Sequence, residues 1–171
     1  MKVNLRLFRK NVLLYKTLLR RFLGKLEKNP PKELDKIAAL VSRDVWREVD
    51  CLSCANCCKT MSPTFTVKDV KRISAHLGMH PLEFREKYLY LEKKDQDWMN
   101  VKQPCQFLNL TTNMCSIYEV RPADCAGFPH LTRKKMVDYI HVHKQNVQYC
   151  PATYKMVEKM RSLLAVMKVE Q

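Results

Sequence analysis

The sequence predicts a mostly α-helical domain, or a small α+β domain, built around a cysteine-rich centre. Segments at both ends repeat apolar residues at spacings of three and four, as on one face of a helix. Eight cysteines lie between residues 51 and 150, and four of them fall within residues 51–58. Only three glycines occur in 171 residues, which argues against a glycine-rich β architecture and a nucleotide-binding loop.

The first fifty residues predict two helices. In residues 1–29 apolar side chains recur at helical spacing, with basic side chains mostly opposite. Asn29-Pro30-Pro31 ends this helix and begins a second, which runs to about Asp50. The predicted organisation is an N-terminal region of two helices, 1–50, followed by a cysteine-cluster domain, 51–171. The apolar face of the first helix consists of Leu5, Phe8, Val12, Tyr15, Leu19, Phe22 and Leu26, widened by Leu7, Leu14 and Leu18.

Capping residues mark two further helices after the first cysteines. Thr66 and Asp69 have the spacing of a capping box, and Gly78 suits the end of the helix that follows. Pro81 begins the next helix, because proline is favoured in a first helical turn. The predicted apolar face of that helix consists of Phe84, Tyr88 and Leu91.

Residues 104–118 predict a β-hairpin whose turn is Thr111-Thr112-Asn113. The hairpin would bring Cys105 and Cys115 near each other across its strands. Arg121-Pro122 then begins a short helical turn that presents Cys125.

The C-terminal part predicts helix. Residues 132–147 fit either a helix or a strand, and we favour the helix. Cys150-Pro151 begins a last helix with apolar residues at helical spacing. No internal repeat or low-complexity segment interrupts the chain, so the elements are expected to form one domain.

The formal net charge is +14, and the basic excess is uneven. Residues 1–29 hold nine Lys or Arg and one acid, which is a net +8. A helix of this kind can pack on its own domain, a partner helix or a membrane surface, and it can also contact nucleic-acid phosphates. A cleaved mitochondrial presequence has a similar pattern. In this chain, however, the helical pattern of residues 1–29 continues without a break into Pro30, which favours an integral helix.

We predict that the apolar stripe of residues 1–29 packs on helices at 32–49 or 153–168. The basic side would then remain available to an anionic partner such as RNA or an acidic protein. No apolar run approaches the length of a transmembrane segment, and the N-terminus lacks the pattern of a secretory signal. We therefore predict a cytoplasmic protein with reduced thiols; the alternative, a disulfide framework, needs an oxidising compartment.

The cysteine spacing predicts metal binding, because thiolates spaced C-x2-C-x2-C can converge on one soft metal centre. Inert core cysteines do not explain four cysteines in eight residues, although a thiol-redox relay is a further alternative. Zinc and a 4Fe-4S iron–sulfur cluster both accept four thiolates, so the spacing does not choose the metal. The predicted metal ligands are Cys51, Cys54, Cys57, Cys58, Cys105, Cys115, Cys125 and Cys150.

Eight thiolates are the number needed for two tetrahedral sites. A single multinuclear centre is the alternative. Cys57 and Cys58 are adjacent, and neighbouring side chains usually point apart, which favours two sites. One partition joins Cys51, Cys54, Cys57 and Cys150 in the first site, and Cys58, Cys105, Cys115 and Cys125 in the second.

Several motifs in order resemble a known family. They are the segment Cys51–Cys58, the segment 104–108 (Pro-Cys-Gln-Phe-Leu) and the segment Cys115–Pro129. Together they resemble the bacterial YkgJ-type cysteine-cluster proteins, described as a zinc- or iron-chelating domain with the motif C-x-x-C-x-x-C-C. The match covers about Cys51 to Pro151 and leaves the N-terminal fifty residues outside.

The resemblance implies metal binding through the matching cysteines and little about activity. A related cluster accompanies methyl transfer from S-adenosylmethionine in flagellin lysine methylases, but no additional domain for that chemistry is evident here. No Ser/His/Asp arrangement or pair of carboxylates indicates a catalytic centre. Three hypotheses follow: a metal-binding protein without assigned reaction, an iron–sulfur redox or methyl-transfer accessory enzyme, and a binding module with structural metals.

Overall fold

Helices account for most of the chain, as predicted, in a computed structural model that describes residues 3–132 and 135–169. A three-stranded antiparallel sheet provides the small β component. Part of the ambiguous segment 132–147, residues 133 and 134, lies outside the described residues; residues 136–146 are helical, as favoured from the sequence.

The elements follow one another in chain order, and the longest connection joins β3 to the first 3₁₀ turn. They are α1 (Leu5–Lys28), α2 (Leu34–Glu48), α3 (Cys51–Cys54), α4 (Asn56–Thr60), β1 (Thr64–Phe65), α5 (Val67–His76), α6 (Pro81–Tyr88), β2 (Leu89–Leu91), β3 (Trp98–Asn100), a 3₁₀ turn (Tyr118–Val120), α7 (Ala123–Gly127), a second 3₁₀ turn (Met136–Tyr139), α8 (Ile140–Asn146) and α9 (Pro151–Val169).

Two compact units make up the chain. Unit 1 contains both ends of the sequence, Met1–Cys54 and Pro129–Gln171, and unit 2 is the continuous segment Ala55–Phe128. The C-x-x-C-x-x-C-C motif therefore contributes its first two cysteines to unit 1 and its last two to unit 2. The functional division predicted from the sequence, 1–50 and 51–171, stays a prediction.

Unit 1 is helical, and its core forms where α1 and α2 pack on α9 and α1 also packs on α8. The predicted packing of the N-terminal helix on residues 153–168 is confirmed, for example by the edge-on contact of Phe8 with Tyr154, whose ring centroids are 5.8 Å apart. The side chain of Asn4 caps α1 by accepting from the Leu7 N–H at 3.0 Å. The fully or almost fully buried face of α1 consists of Phe8, Val12, Leu19, Leu23 and Leu26.

The predicted face of α1 is partly wrong. Leu23, which was not assigned to it, is buried, whereas Tyr15 and the widening residues Leu7, Leu14 and Leu18 are exposed. Fewer apolar positions are needed because α8 and α9 cover only one side of the helix. The remaining leucines therefore form a second apolar stripe on the outside.

Unit 2 packs its sheet, in the order β1-β3-β2, against α5 and α6. Leu91 was predicted on the face of the helix that begins at Pro81, and this is wrong. The helix ends at Tyr88, and Leu89–Leu91 pairs with β3 because the backbone of Leu89 is already extended. The core of the unit consists of Phe65, Val70, Ile73, Phe84, Leu89, Phe107 and Ile117.

The predicted hairpin at 104–118 is present in its shortest form. A single antiparallel bridge joins Leu108 to Cys115, next to a hydrogen bond from the Ser116 N–H to the Phe107 carbonyl at 2.8 Å. Asn113 has φ 59° within the predicted turn, a left-handed conformation that asparagine tolerates. The turn brings Cys115 back toward Cys105 without regular strands.

Asp69 joins the start of α5 to the start of α7. Its carboxylate accepts from the Thr66 N–H at 2.9 Å and the Thr66 hydroxyl accepts from the Asp69 N–H at 3.1 Å, so the predicted capping box is confirmed. The second carboxylate oxygen accepts from the Ala123 N–H at 3.0 Å and from the Arg72 guanidinium at 2.7 Å. This buried carboxylate therefore fixes the segment that carries Cys125.

We expect Asp69→Asn to destabilise unit 2 by about 2–3 kcal/mol at pH 7, because the new amide nitrogen would face N–H donors. Burial alone raises the pKa of Asp69, but the hydrogen bonds from Thr66, Ala123 and Arg72 outweigh it and hold the pKa below its usual value. The stabilisation is thus present above the unfolded pKa of about 3.9 and is lost as pH falls through the lower folded value. Urea unfolding at pH 7 and in strong acid measures the difference in the free energy of unfolding between the variant and the unsubstituted protein.

The exposed Asp95→Asn variant is the matched control, and it should unfold like the unsubstituted protein at every pH. The difference between Asp69→Asn and the unsubstituted protein should shrink in acid. A difference of equal size in acid would show that the ionised carboxylate is not what stabilises the unit.

Candidate metal centre

All eight cysteines lie in the described residues, and none of them forms a disulfide bond. Unit 2 holds five cysteines and unit 1 holds three. In unit 2 they are Cys57 and Cys58 on α4, Cys105 and Cys115 on either side of the short hairpin, and Cys125 on α7. In unit 1 they are Cys51 and Cys54 on α3, and Cys150 directly before α9.

Local hydrogen bonds hold Cys105 next to α4 and the sheet. The Cys105 N–H donates to the Cys58 carbonyl at 2.9 Å. The side-chain amide of Asn100 on β3 donates to the Cys105 sulfur at 3.2 Å, and it accepts in turn from Gln106 at 3.0 Å. A hydrogen bond to sulfur stabilises a thiolate, so β3 supplies a donor that the sequence analysis missed.

The thiols of Cys58, Cys105, Cys115 and Cys125, here called the four-thiol set, lie within electrostatic reach of one another. Burial raises the pKa of Cys105 and of Cys115, and the neighbouring Cys58 charge raises both further. Burial also raises the pKa of Cys125 far above its usual value, with added contributions from Cys58, Asp124, Cys105 and Cys115. All four thiols of the second predicted group thus lie in unit 2 and influence one another's ionisation, while their binding of a common metal ion stays a prediction.

The sulfurs of the adjacent residues Cys57 and Cys58 are 3.9 Å apart. The expectation that these side chains point apart is wrong, because successive residues on a helix differ by about 100°, not by the half turn of a strand. The hydrogen bond between them lowers the pKa of Cys58 to about 7 against the opposing effect of burial. Four sulfurs around one zinc ion at about 2.3 Å are about 3.8 Å apart, so this spacing is compatible with a shared ion.

Unit 1 places Cys54 near Cys150. Burial raises the pKa of the Cys150 thiol, and the Cys54 charge raises it further. The Cys150 N–H donates to the Asn146 carbonyl at 2.8 Å at the end of α8, and the Cys150 carbonyl accepts the first hydrogen bond of α9 from Tyr154. The grouping of Cys51, Cys54 and Cys150 with Cys57 stays a prediction.

The sulfur atoms of the four-thiol set are chemically suited to bind a thiophilic metal ion. Each half-buried thiol of the four-thiol set opposes ionisation of the others, and a bound cation would remove that conflict by compensating the thiolate charges. Across residues 3–132 and 135–169, no three Cys, His, Asp or Glu side chains stand in the geometry of a finished metal site. Metal binding would therefore require the cysteine side chains to move closer together.

Arg121 directly follows the first 3₁₀ turn. Its guanidinium donates to the Tyr118 carbonyl at 2.7 Å and lies 3.9 Å from the centre of the Tyr118 ring. From there its charge partly offsets the increase in the pKa of Cys115. The carboxylate of Asp124 accepts from the Thr64 N–H at 3.2 Å and so connects α7 to β1.

A group of histidines in unit 1 is a feature that sequence reasoning missed. The Tyr139 ring centre lies 5.9 Å from that of His130, 6.4 Å from that of His141 and 6.5 Å from that of His143. His143 is fully buried, and burial lowers its pKa to about 4, with smaller contributions from His130 and His141. The spacing of Tyr139 and His143, four residues apart, was the available signal.

Comparison with known proteins places the chain in a family. The model of the CxxCxxCC family, described as "Putative zinc- or iron-chelating domain", matches residues 50–152. The chain is also 32% identical over 81 residues to Uncharacterized protein MJ0661 of Methanocaldococcus jannaschii; this match covers 47% of the chain and 43% of that relative. The chain thus spans less than half of the length of this curated relative. No solved structure matches.

The family match includes all eight cysteines and the whole of unit 2. It agrees with the resemblance inferred from the motifs between Cys51 and Pro151. The chain belongs to the CxxCxxCC family of zinc- or iron-chelating domains.

Proposed function

We propose that this protein binds zinc or iron through its cysteine thiolates, with the four-thiol set of unit 2 as one principal site. The observation that carries the proposal is that four thiols from separate segments of unit 2 lie close enough to affect one another's ionisation. Family membership supports the same class of ligand. Thiolate ligation requires reduced cysteines, so this function suits the cytoplasm.

A second candidate function uses the same thiols to hold a 4Fe-4S cluster for electron transfer or for accessory methyl-transfer chemistry. The hydrogen bond from Asn100 to the Cys105 sulfur favours it, because such bonds tune the reduction potential of a cluster. Structural zinc would use the same bond to hold its ligand in place. The two alternatives differ in whether the isolated protein contains inorganic sulfide.

We expect protein purified without air to contain at least about one equivalent of zinc or iron per chain, because four thiolates saturate one tetrahedral ion. Elemental analysis measures the metal, and acid-labile sulfide distinguishes an iron–sulfur cluster from mononuclear ions. Cys58→Ser should lower the metal content, and Ser53→Ala, which removes a hydroxyl between two cysteines, should not. A chain that is metal-free while its helices are intact would contradict the proposal.

A third part of the proposal concerns α1, which we suggest interacts with an anionic partner. Its segment carries a net +8, and its one acid, Glu27, is paired with Lys144 at 2.5 Å. The positive charge of the helix is therefore compensated very little from within the helix. RNA, an acidic protein and an anionic lipid surface all have the required charge.

A further inference from the structure

The outer side of α1 exposes an apolar stripe that its packing in unit 1 does not use. Leu7, Leu14 and Leu18 have relative exposures of 53, 62 and 44%, although leucine is usually buried. The intervals of seven and four residues place the three on one helical face. Tyr15, also exposed, lies between this stripe and the buried face. A contiguous apolar stripe of this kind is typical of an interaction surface.

Basic side chains lie directly along the stripe. Lys10, Arg21 and Lys25 are exposed; Lys10 and Arg21 are each three residues from a stripe leucine, and Lys25 is seven residues, about two turns, from Leu18. No acidic residue occurs in α1 before Glu27. The partner therefore has to accept leucine side chains and positive charge on the same narrow surface.

The combination of leucines and basic residues discriminates between partner classes. RNA would be bound through phosphates and stacked bases, for which exposed leucines offer little. A second copy of α1 would bring two basic stripes together, which is repulsive. An anionic bilayer accepts leucines below its headgroups and basic side chains at the level of its phosphates.

The dimensions of α1 fix how it would lie on such a surface. At 1.5 Å per residue its 24 residues extend about 36 Å. None of the described helices is long and apolar enough to cross a membrane. The buried face of α1 is already occupied by α8 and α9, so only the stripe remains for lipid.

We infer that α1 is an interfacial helix that docks unit 1 on anionic lipid surfaces, with Leu7, Leu14 and Leu18 inserted and Lys10, Arg21 and Lys25 at the headgroups. The inference rests on the proposal of an anionic partner for α1 and names the partner. It is independent of which metal the cysteines bind. Docking is reversible and weakens with salt, because part of its free energy is electrostatic.

Vesicle co-sedimentation of the full chain tests the inference. Vesicles of phosphatidylcholine alone are compared with vesicles containing about one-third phosphatidylglycerol, at about 0.1 M and about 0.5 M salt. The full chain should bind the anionic vesicles at low salt, bind the neutral ones at least tenfold more weakly, and dissociate at high salt.

Two variants with matched controls separate the contributions. Leu7→Gln/Leu14→Gln/Leu18→Gln should weaken binding at least about tenfold, because the inserted apolar surface is lost. Its control replaces three leucines outside the stripe, Leu13, Leu82 and Leu110, which are 81, 59 and 60% exposed, by glutamine. This control should bind like the unsubstituted protein. Leu13 of the control gives the most direct comparison with the stripe, because it is adjacent to Leu14 but lies on a different side of α1.

Charge is tested in the same way. Lys10→Gln/Arg21→Gln/Lys25→Gln should weaken binding to anionic vesicles about a hundredfold, at about 1 kcal/mol for each basic residue near the surface. The control Lys68→Gln/Lys71→Gln/Lys102→Gln removes three exposed lysines from unit 2 and should have little effect.

Binding to polyuridylate and metal content are measured on the same samples. Absence of vesicle binding, or equal binding by the leucine variant and its control, would overturn the inference. If polyuridylate is then bound through the basic residues alone, RNA is the anionic partner, and the broader proposal for α1 survives without the lipid. Metal content should be unchanged by every α1 variant, so failure here is distinct from failure of the metal proposal.

Discussion

Cys125→Ser is expected to abolish metal binding by the four-thiol set and to unfold unit 2 at temperatures where the unsubstituted protein stays folded. A serine hydroxyl is a poor ligand for zinc and iron in thiolate sites. The free energy of metal binding is also free energy of folding, and structural zinc contributes on the order of 10 kcal/mol. Loss of one ligand of four should therefore cost several kcal/mol and about one equivalent of metal.

Metal analysis and thermal unfolding followed by circular dichroism measure this effect. Ser116→Ala is the matched control, because it alters an exposed residue next to Cys115 that is not a predicted ligand. A chelator should lower the melting temperature of the unsubstituted protein toward that of Cys125→Ser and leave the variant unchanged. If the variant keeps its metal and melts like the unsubstituted protein, Cys125 is peripheral to the site.

The second large effect is expected for Phe84→Ala, which should destabilise unit 2 by about 3–5 kcal/mol. The fully buried Phe84 ring stacks on Phe107 at a centroid distance of 6.2 Å and contacts Tyr88 at 5.3 Å and Phe65 at 6.3 Å. Its removal leaves a cavity among three rings, which come from β1, α6 and the loop after β3. Urea unfolding of metal-loaded protein provides the measurement.

The metal site should weaken in the same variant, because Cys105 and Cys115 pack against this aromatic core. We expect a chelator to remove metal from Phe84→Ala faster than from the unsubstituted protein. Leu82→Ala, two residues earlier on α6 and exposed, is the control and should change neither quantity. Unaltered unfolding of Phe84→Ala would show that metal ligation alone maintains unit 2.

The elements with strong local signals in the sequence were predicted correctly. The apolar spacing and terminal prolines predicted α1, and the Thr66–Asp69 capping box predicted α5, because both signals act within a few residues. The strands were missed because β1, β2 and β3 have only two or three residues, too few for an alternating pattern. Leu91 was consequently assigned to a helix.

Long-range features of the site were harder to predict. The cysteines themselves were evident as metal-ligand candidates, whereas their grouping around metal ions stays a prediction. The closeness of Cys57 to Cys58 depends on the helical backbone of α4, and the Asn100 donor depends on a sheet that the sequence did not reveal. The aromatic core likewise joins Phe65, Phe84 and Phe107 across about forty residues, so no local pattern marks it.

The division of unit 1 between the two ends of the sequence has a consequence during synthesis on the ribosome. All the residues of unit 2 follow one another, so this unit can complete its fold on the nascent chain. Helix α1 meets α9 only after the roughly 120 residues between them have been translated, about 6–25 s at typical rates. Throughout that interval both apolar stripes of α1 are uncovered on a strongly basic helix, so the nascent helix exposes more apolar surface than it does in the folded unit.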